Sequence, residues 1–442
     1  MASMIPKDVK ELLIINPNMT LPQGKFMALE PPIWCAMIAS VLRKKGIQVS
    51  IWDGAVTDSP KPYCDNVLLV AAGQNPSAAS TSRMTTVAEI SKFYKKAGAR
   101  VYITGIHPLA LPARTINETE ADAVIDTPSG AELQDTDMAA WDLLPMDKYM
   151  AHNWHCLDGD DRHKYAAIYT GFGCPFNCYF CNIHMLYRNE RKVYYRDVAK
   201  VIKEIDYLVS QHGLKNLKLC DELFVMNHDR VEQICDLLIA RNYNLNIWAY
   251  ARVDTMADLN LLHKMKKAGF NWLAYGFESG NSEVRYKAGK HFETEAMQRA
   301  VYLTHKAGIN IIGNFLFGLP GDNKQTMGQT LDLAKELMCE YANFYCAMAY
   351  PGSQLYTDAV AKNLELPAEY KNYCQFEKVT PLATEYLTSQ EILKFRDNAF
   401  REYFTNPDYL KMIKGKFGDQ GVRHIDEMLN SWTRPKIRGG KC

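Results

Sequence analysis

Three cysteines within eight residues are the part of this chain best suited to chemistry. The stretch Gly171–Met185 reads GFGCPFNCYFCNIHM and sets Cys174, Cys178 and Cys181 at Cys-x3-Cys-x2-Cys spacing. Clustered thiolates are soft ligands that suit zinc or an iron–sulfur cluster. An iron–sulfur cubane needs four ligands, so three local cysteines would leave one iron open to a small chelating molecule. A structural zinc site is the competing reading, because His184 continues the pattern as Cys-x2-Cys-x2-His. Three incidental buried cysteines are the remaining one. Gly171, Gly173 and Pro175 let the loop wrap closely around a bulky group.

The other cysteines are scattered. The chain has twelve in all, and Cys35, Cys64, Cys235 and Cys339 read as small buried hydrophobes of a reducing compartment. With 442 residues, two or three domains are expected. A composition of 47% apolar and 23% charged residues is that of a globular protein. A formal net charge of +1 supplies no global basic field, so nucleic acid is not an expected partner. The opening MASMIPKDVKELLIINP does not read as a signal peptide, and there is no run of eighteen apolar residues to span a membrane. A cytoplasmic location is the expectation.

Positioning the cysteines requires a scaffold, and the hydrophobic pattern supplies an α/β one. In residues 1–131, candidate strands at Glu11–Ile15, Val49–Asp53, Val67–Ala71, Val101–Thr104 and Ala123–Asp126 alternate with helices at Ile33–Lys45 and Met84–Lys96. That alternation predicts a doubly wound, Rossmann-like parallel sheet. Its ligand crevice would be built from the loops Asn16–Leu21, Gly73–Ser82 and Gly105–Ala110. Residues 132–163 read as a polar linker carrying WDLLPMDKY. In residues 164–360 strands fit Tyr165–Tyr169, Leu217–Leu219, Ile247–Tyr250, Trp272–Gly276, Ile309–Phe317 and Phe344–Ala349. Helices between them include Asp197–Gln211, His228–Arg241 and Thr326–Met338. Six such units predict a partial (β/α)6 TIM-type barrel with its chemistry where strands end. The cysteine loop follows the first strand, on that face. Residues 361–442 predict a helical C-terminal cap, with Tyr370, Tyr373, Phe376 and Tyr386 available to stack on a sugar or base or simply to pack.

GCPFNCYFC resembles the signature of the radical S-adenosylmethionine (SAM) superfamily. The resemblance implies that the three cysteines bind three irons of a [4Fe–4S] cluster while SAM chelates the fourth. It implies reductive cleavage of SAM to a 5′-deoxyadenosyl radical, with a flavodoxin- or ferredoxin-type electron donor. Phe180, before the third cysteine, would pack near the adenine or the cluster. In CDEL, Asp221 and Glu222 would present polar groups to the SAM amino group. In YAR, Arg252 would meet the SAM carboxylate or an anionic substrate. In YGFESG, Glu278 and Ser279 would touch ribose or methionine. In GNFLFGLPG, Asn314 would lie near adenine. AYPGSQLY places Tyr350 at the end of the sixth strand. Arg252, Glu278 and Tyr350 are the candidates for catalysis.

A doubly wound domain ahead of such a barrel resembles the cobalamin-binding class of the superfamily. AAGQNPSAAS, ITGIHPLALP and ADAVIDTPSGAE carry that resemblance and point to Asn75, Ser77, Gly105, His107 and Pro108 as cobalamin contacts. The sequence lacks Asp-x-His-x-x-Gly, so a histidine ligand below cobalt is not expected. It departs from the class at Asp126–Gly130, and the stretch from Asp53 to Val67 is short for a crossover helix. The class implies C-methylation of an unactivated carbon in a small metabolite, with a sugar or natural-product precursor expected. A degenerate N-terminal domain would instead leave elimination, dehydration or rearrangement. An iron–sulfur electron-transfer or sensor protein is the reading outside catalysis.

Overall fold

The computed structural model describes residues 5–17, 26–57, 62–73, 75–157, 159, 161–255, 258–375 and 379–431. Phe376, Gln74 and residues 18–21 of the first crevice loop lie outside them. Two parallel sheets organise the chain. The first comprises β1 (Glu11–Asn16), β2 (Gln48–Asp53), β3 (Asn66–Val70), β4 (Arg100–Thr104) and β5 (Ala123–Val124) in the order β2-β1-β3-β4-β5. All its pairings are parallel. Its central strands are apolar on both faces, as a sheet covered on both sides requires. Leu12 and Ile14 pack with the helix Ile33–Lys44, while Leu13 and Ile15 pack with Met84 and Val87 of the helix Met84–Lys96. This is the expected doubly wound arrangement. Its strand order reverses between β1 and β3, where ligand crevices form. The fifth strand is shorter than its pattern predicts, and among the described residues a turn, not a helix, follows Asp53.

The second sheet holds β6 (Tyr165–Ile168), β9 (Asn216–Leu219), β10 (Asn246–Ala251), β11 (Phe270–Glu278), β12 (Asn310–Phe317) and β13 (Tyr341–Cys346), parallel throughout and paired in chain order. A small antiparallel pair, β7 (Gly171–Phe172) with β8 (Tyr194–Tyr195), closes the cysteine excursion after β6. The connecting helices start where a side chain accepts an orphan backbone N–H. Asp197 caps Val198–His212, Asn227 caps His228–Arg241 and Asp258 caps Leu259–Lys267. The helix expected at Thr326–Met338 runs from Lys324 to Leu337, because Asn323 and Thr326 form a reciprocal cap. The last strand was expected at Phe344–Ala349. It sits three residues earlier, since Ala342, Phe344 and Cys346 are the buried alternates and the chain turns at Met348–Tyr350.

Residues 132–163 are packed more tightly than their polar composition implies. Trp141 and Tyr149 are buried, and the Trp141 indole donates to Glu204 at 2.8 Å. Glu204 in turn pairs with Arg196 at 2.6 Å, with neither side chain exposed. Trp154 wedges among Trp248, Trp272 and Tyr341, with ring centroids 5.2, 5.5 and 6.0 Å away. A few aromatic anchors therefore fasten the segment to the second sheet. At the C-terminus, helix Ser389–Phe404 covers β12 and β13 through Phe395 on Phe317 and Tyr403 on Phe344, and the segment Pro407–Ser431, kinked at Gly418, packs on it through Tyr409 on Tyr403. Among the described residues no helix is long and apolar enough to cross a membrane.

Candidate active site

The cysteine loop is seated by backbone geometry. Gly173 has φ +92°, and a Cβ there would lie 2.3 Å from the Lys192 carbonyl oxygen. Gly289 has φ +81°, and a Cβ there would lie 3.0 Å from the Asn177 carbonyl oxygen and 3.1 Å from Cys178 Cα. Both positions need glycine for the chain to approach this closely. The Tyr179 N–H donates to Ala288 O at 3.1 Å, and Asn182 Nδ2 donates to Pro351 O at 3.0 Å. His184 Nε2 lies 2.7 Å from Phe176 O, so this histidine pins the loop.

The thiols suit the cluster that their spacing anticipates. All three are unpaired and partly buried. Burial pushes the Cys174 thiol up to about 12, and the neighbouring Cys181 and Cys178 add to that shift. Burial pushes Cys181 up to about 11, with Cys178 again contributing. Soft donors of this kind become thiolates on binding iron. A cubane takes one thiolate per iron, so its ligands need not converge on one point. Among the described residues no three His, Cys, Asp or Glu side chains do converge to hold a single ion.

Charged side chains surround the loop. Arg252, at the end of β10, directs Nη1 to Cys178 Sγ at 3.5 Å and stacks 3.8 Å over the Phe176 ring. Asp254 accepts from its Nε at 2.7 Å and from Nη2 at 3.0 Å. Glu278 ends β11 with φ +64° and pairs with Lys290 Nζ at 2.9 Å. Glu222 accepts from the Gly173 N–H at 2.9 Å and from the Tyr187 hydroxyl at 2.8 Å. Burial raises its carboxyl to about 7. Asp221 takes the Thr170 N–H on one oxygen and the Thr170 hydroxyl on the other, both at 2.6 Å, and burial raises it to about 6.

The remaining predicted residues divide between the strand ends and their supports. Phe180 packs against the apolar cluster that includes Leu316 and Ala347, at the ends of β12 and β13. Asn314 donates to Tyr275 O at 2.9 Å and accepts from Asn343 at 3.0 Å, and it stays partly exposed. Ser279 is fully buried, with its hydroxyl 3.3 Å from Thr330. The Tyr350 hydroxyl accepts from Gln375 at 3.2 Å.

The first sheet reaches the same place. Ser77, in the short helix that follows Asn75, lies close enough to Cys181 to hold its thiol down against the effect of burial. Gly105 has φ +127°, and a Cβ there would meet Ala71 O at 2.3 Å. His107 and Pro108 are buried in the following turn of helix. The His107 N–H donates to Ser80 Oγ at 2.9 Å, and Tyr370 packs edge-on against its ring at 5.0 Å. Sequence reasoning missed Lys290. It follows a glycine in a short turn after a helix, where neither periodicity nor a motif marks it.

Comparison with known proteins bears on this geometry. Residues 168–334 match the radical SAM superfamily. This stretch is a radical SAM domain. A radical SAM domain implies a [4Fe–4S] cluster and SAM. An uncharacterized methyltransferase of Pyrococcus horikoshii is 25% identical over 94% of this chain and 96% of the relative. An anaerobic magnesium-protoporphyrin IX monomethyl ester cyclase of Cereibacter sphaeroides is 23% identical over 89% of this chain and 70% of its own length. In fold, the enzyme matches TsrM of Kitasatospora setae, a radical SAM methyltransferase solved with cobalamin and a [4Fe–4S] cluster. The TM-score is 0.68 at 14% identity, over 96% of this chain and 100% of TsrM. It also matches OxsB, a cobalamin-dependent SAM radical enzyme solved with aqua-cobalamin and SAM. That TM-score is 0.62 at 13% identity, over 96% of this chain and 71% of OxsB.

Proposed function

We propose that this radical SAM enzyme is a cobalamin-dependent methyltransferase that acts on an unactivated carbon of a small molecule, a sugar or natural-product precursor. The Thr127 hydroxyl donates to Leu186 O at 2.5 Å, and this contact carries the proposal because, with Ser77 near Cys181, it brings the end of the doubly wound sheet against the segment that follows the cysteine loop. Likeness in fold to TsrM and OxsB along 96% of the chain supports it. Two polar atoms near the end of β4, Thr104 Oγ1 and His107 Nε2, are buried without a partner among the described residues. Buried polar groups ordinarily have partners, so these suit a polar ligand tail.

Cys174, Cys178 and Cys181 would hold the cluster at the mouth of a partial (β/α)6 barrel. Phe180, Glu222, Glu278 and Asn314 would hold SAM, with Asp221 fixing Thr170 beneath the loop and Ser279, buried against Thr330, bracing the end of β11. Asn75, Ser77, Gly105, His107 and Pro108 would line the cobalamin crevice. When bound, the cluster supplies the electron that cleaves SAM, and cobalamin supplies a carrier for a methyl group. The chain's part is to orient these groups and keep water from the radical. A flavodoxin- or ferredoxin-type protein would deliver the electron.

Two observations favour a second reading, elimination or ring closure without cobalamin. No helix follows Asp53 among the described residues, and Tyr370 covers His107, which would narrow a tail pocket. Anaerobic incubation with SAM, dithionite and hydroxocobalamin separates the two. Methyl transfer yields both 5′-deoxyadenosine and S-adenosylhomocysteine, whereas the second reading yields 5′-deoxyadenosine alone. Formation of neither would overturn the enzymatic account.

A further inference from the structure

We propose that Arg252 is a positioning residue for the cluster, setting its reduction potential through Cys178; this rests on the three-cysteine reading of the site. The guanidinium uses its two edges differently. Nε and Nη2 grip Asp254 in a two-pronged pair at 2.7 and 3.0 Å, and this fixes the plane of the group. Nη1 is left to point at Cys178 Sγ, 3.5 Å away. The Phe176 ring, 3.8 Å beneath, holds the plane from its face and excludes water. The Arg252 side chain is 5% exposed while that of Asp254 is 28% exposed. Solvent therefore screens the carboxylate more than the cation, and the thiol side of the pair is net positive. Lys290 also lies near Cys178, but Glu278 pairs with it directly at 2.9 Å, so its charge is largely offset.

Reduction of the cluster adds one electron, taken from dithionite or a low-potential donor protein, with no bond made or broken. The added negative charge is stabilised by a buried cation and by a hydrogen bond to a ligand sulfur. Both raise the potential of an iron–sulfur centre. Removing the Nη1 donor should make the cluster harder to reduce.

The test is a redox titration of reconstituted holoprotein, read by electron paramagnetic resonance of the reduced cluster, with iron content and SAM affinity measured in parallel. Arg252→Gln should keep its iron and its SAM affinity but shift the midpoint to lower potential and cut the fraction reduced by dithionite. Arg252→Lys should recover part of the shift. Asp254→Asn should move the midpoint upward by removing the counter-charge. Unchanged midpoints in Arg252→Gln and Asp254→Asn, with iron intact, would overturn the proposal. So would a loss of SAM affinity in Arg252→Gln at an unchanged midpoint, which would make Arg252 a SAM ligand. Wild-type protein that takes up no iron would defeat the cluster reading itself, a separate failure.

Discussion

Ser77 of the N-terminal domain lies beside Cys181 of the second domain, close enough to hold its thiol down. The two strand-end faces therefore adjoin here, and on the proposed reading a group bound in the first crevice would lie beside the cluster. Ser77→Trp should retain wild-type iron and yet fail to retain cobalamin after desalting, read from the optical spectrum. Retention at the wild-type level would put the corrin elsewhere.

Replacing Cys174, Cys178 and Cys181 together with Ala removes every thiol of the loop. The variant should lose the brown chromophore and the iron, about four per chain in the wild type, while far-ultraviolet circular dichroism stays unchanged. Full iron and continued SAM cleavage in this variant would contradict the assignment.

Glu278 and Lys290 form an ion pair in which each side chain is 9% exposed. Removing one member of such a pair strands the other charge, at a cost of roughly 3–5 kcal/mol. Glu278→Gln should therefore lower the stability measured by urea unfolding, and the double change with Lys290→Met should recover most of the loss. If Glu278 also touches SAM, affinity for SAM in Glu278→Gln should fall about ten- to hundredfold, from roughly 1.5–3 kcal/mol for a hydrogen bond to a charged group.

His107 gives a pH prediction. Burial, with Arg114 nearby, pushes its imidazole down from 6.5 to about 4, while Glu118 opposes the shift. The unfolded chain then binds the proton more readily than the folded one. Stability from this group is complete above about 6.5 and is lost as pH falls toward about 4. The full difference is on the order of 3 kcal/mol. Urea unfolding of His107→Gln should show a shallower decline than wild type across that window. Parallel curves would mean that His107 ionises as easily folded as unfolded.

Much of the fold was legible because hydrophobic runs and alternation mark covered strands directly. Leu12–Ile15 and Val67–Leu69 announced a sheet buried on both faces, and the strand-end segments CDEL, YAR and YGFESG lie where β9, β10 and β11 end. The site was legible as far as residue type and spacing reach: the thiols, and the strands that carry them. What those side chains bond to was not. Asp221 is engaged by Thr170, Ser279 faces Thr330 and Arg252 faces Cys178, and each depends on a contact distant in sequence. Residues 132–163 misled for a similar reason, since Trp141 and Trp154 are isolated anchors with no period to reveal them.

The central claim is that the doubly wound domain delivers cobalamin to the cluster. Its most direct test is reconstitution of the anaerobic holoprotein with hydroxocobalamin, followed by desalting and an optical spectrum. Stoichiometric cobalamin, with the base-off spectrum expected where no histidine lies below cobalt, is the predicted result. Protein that emerges free of cobalamin while still converting SAM to 5′-deoxyadenosine would contradict the account.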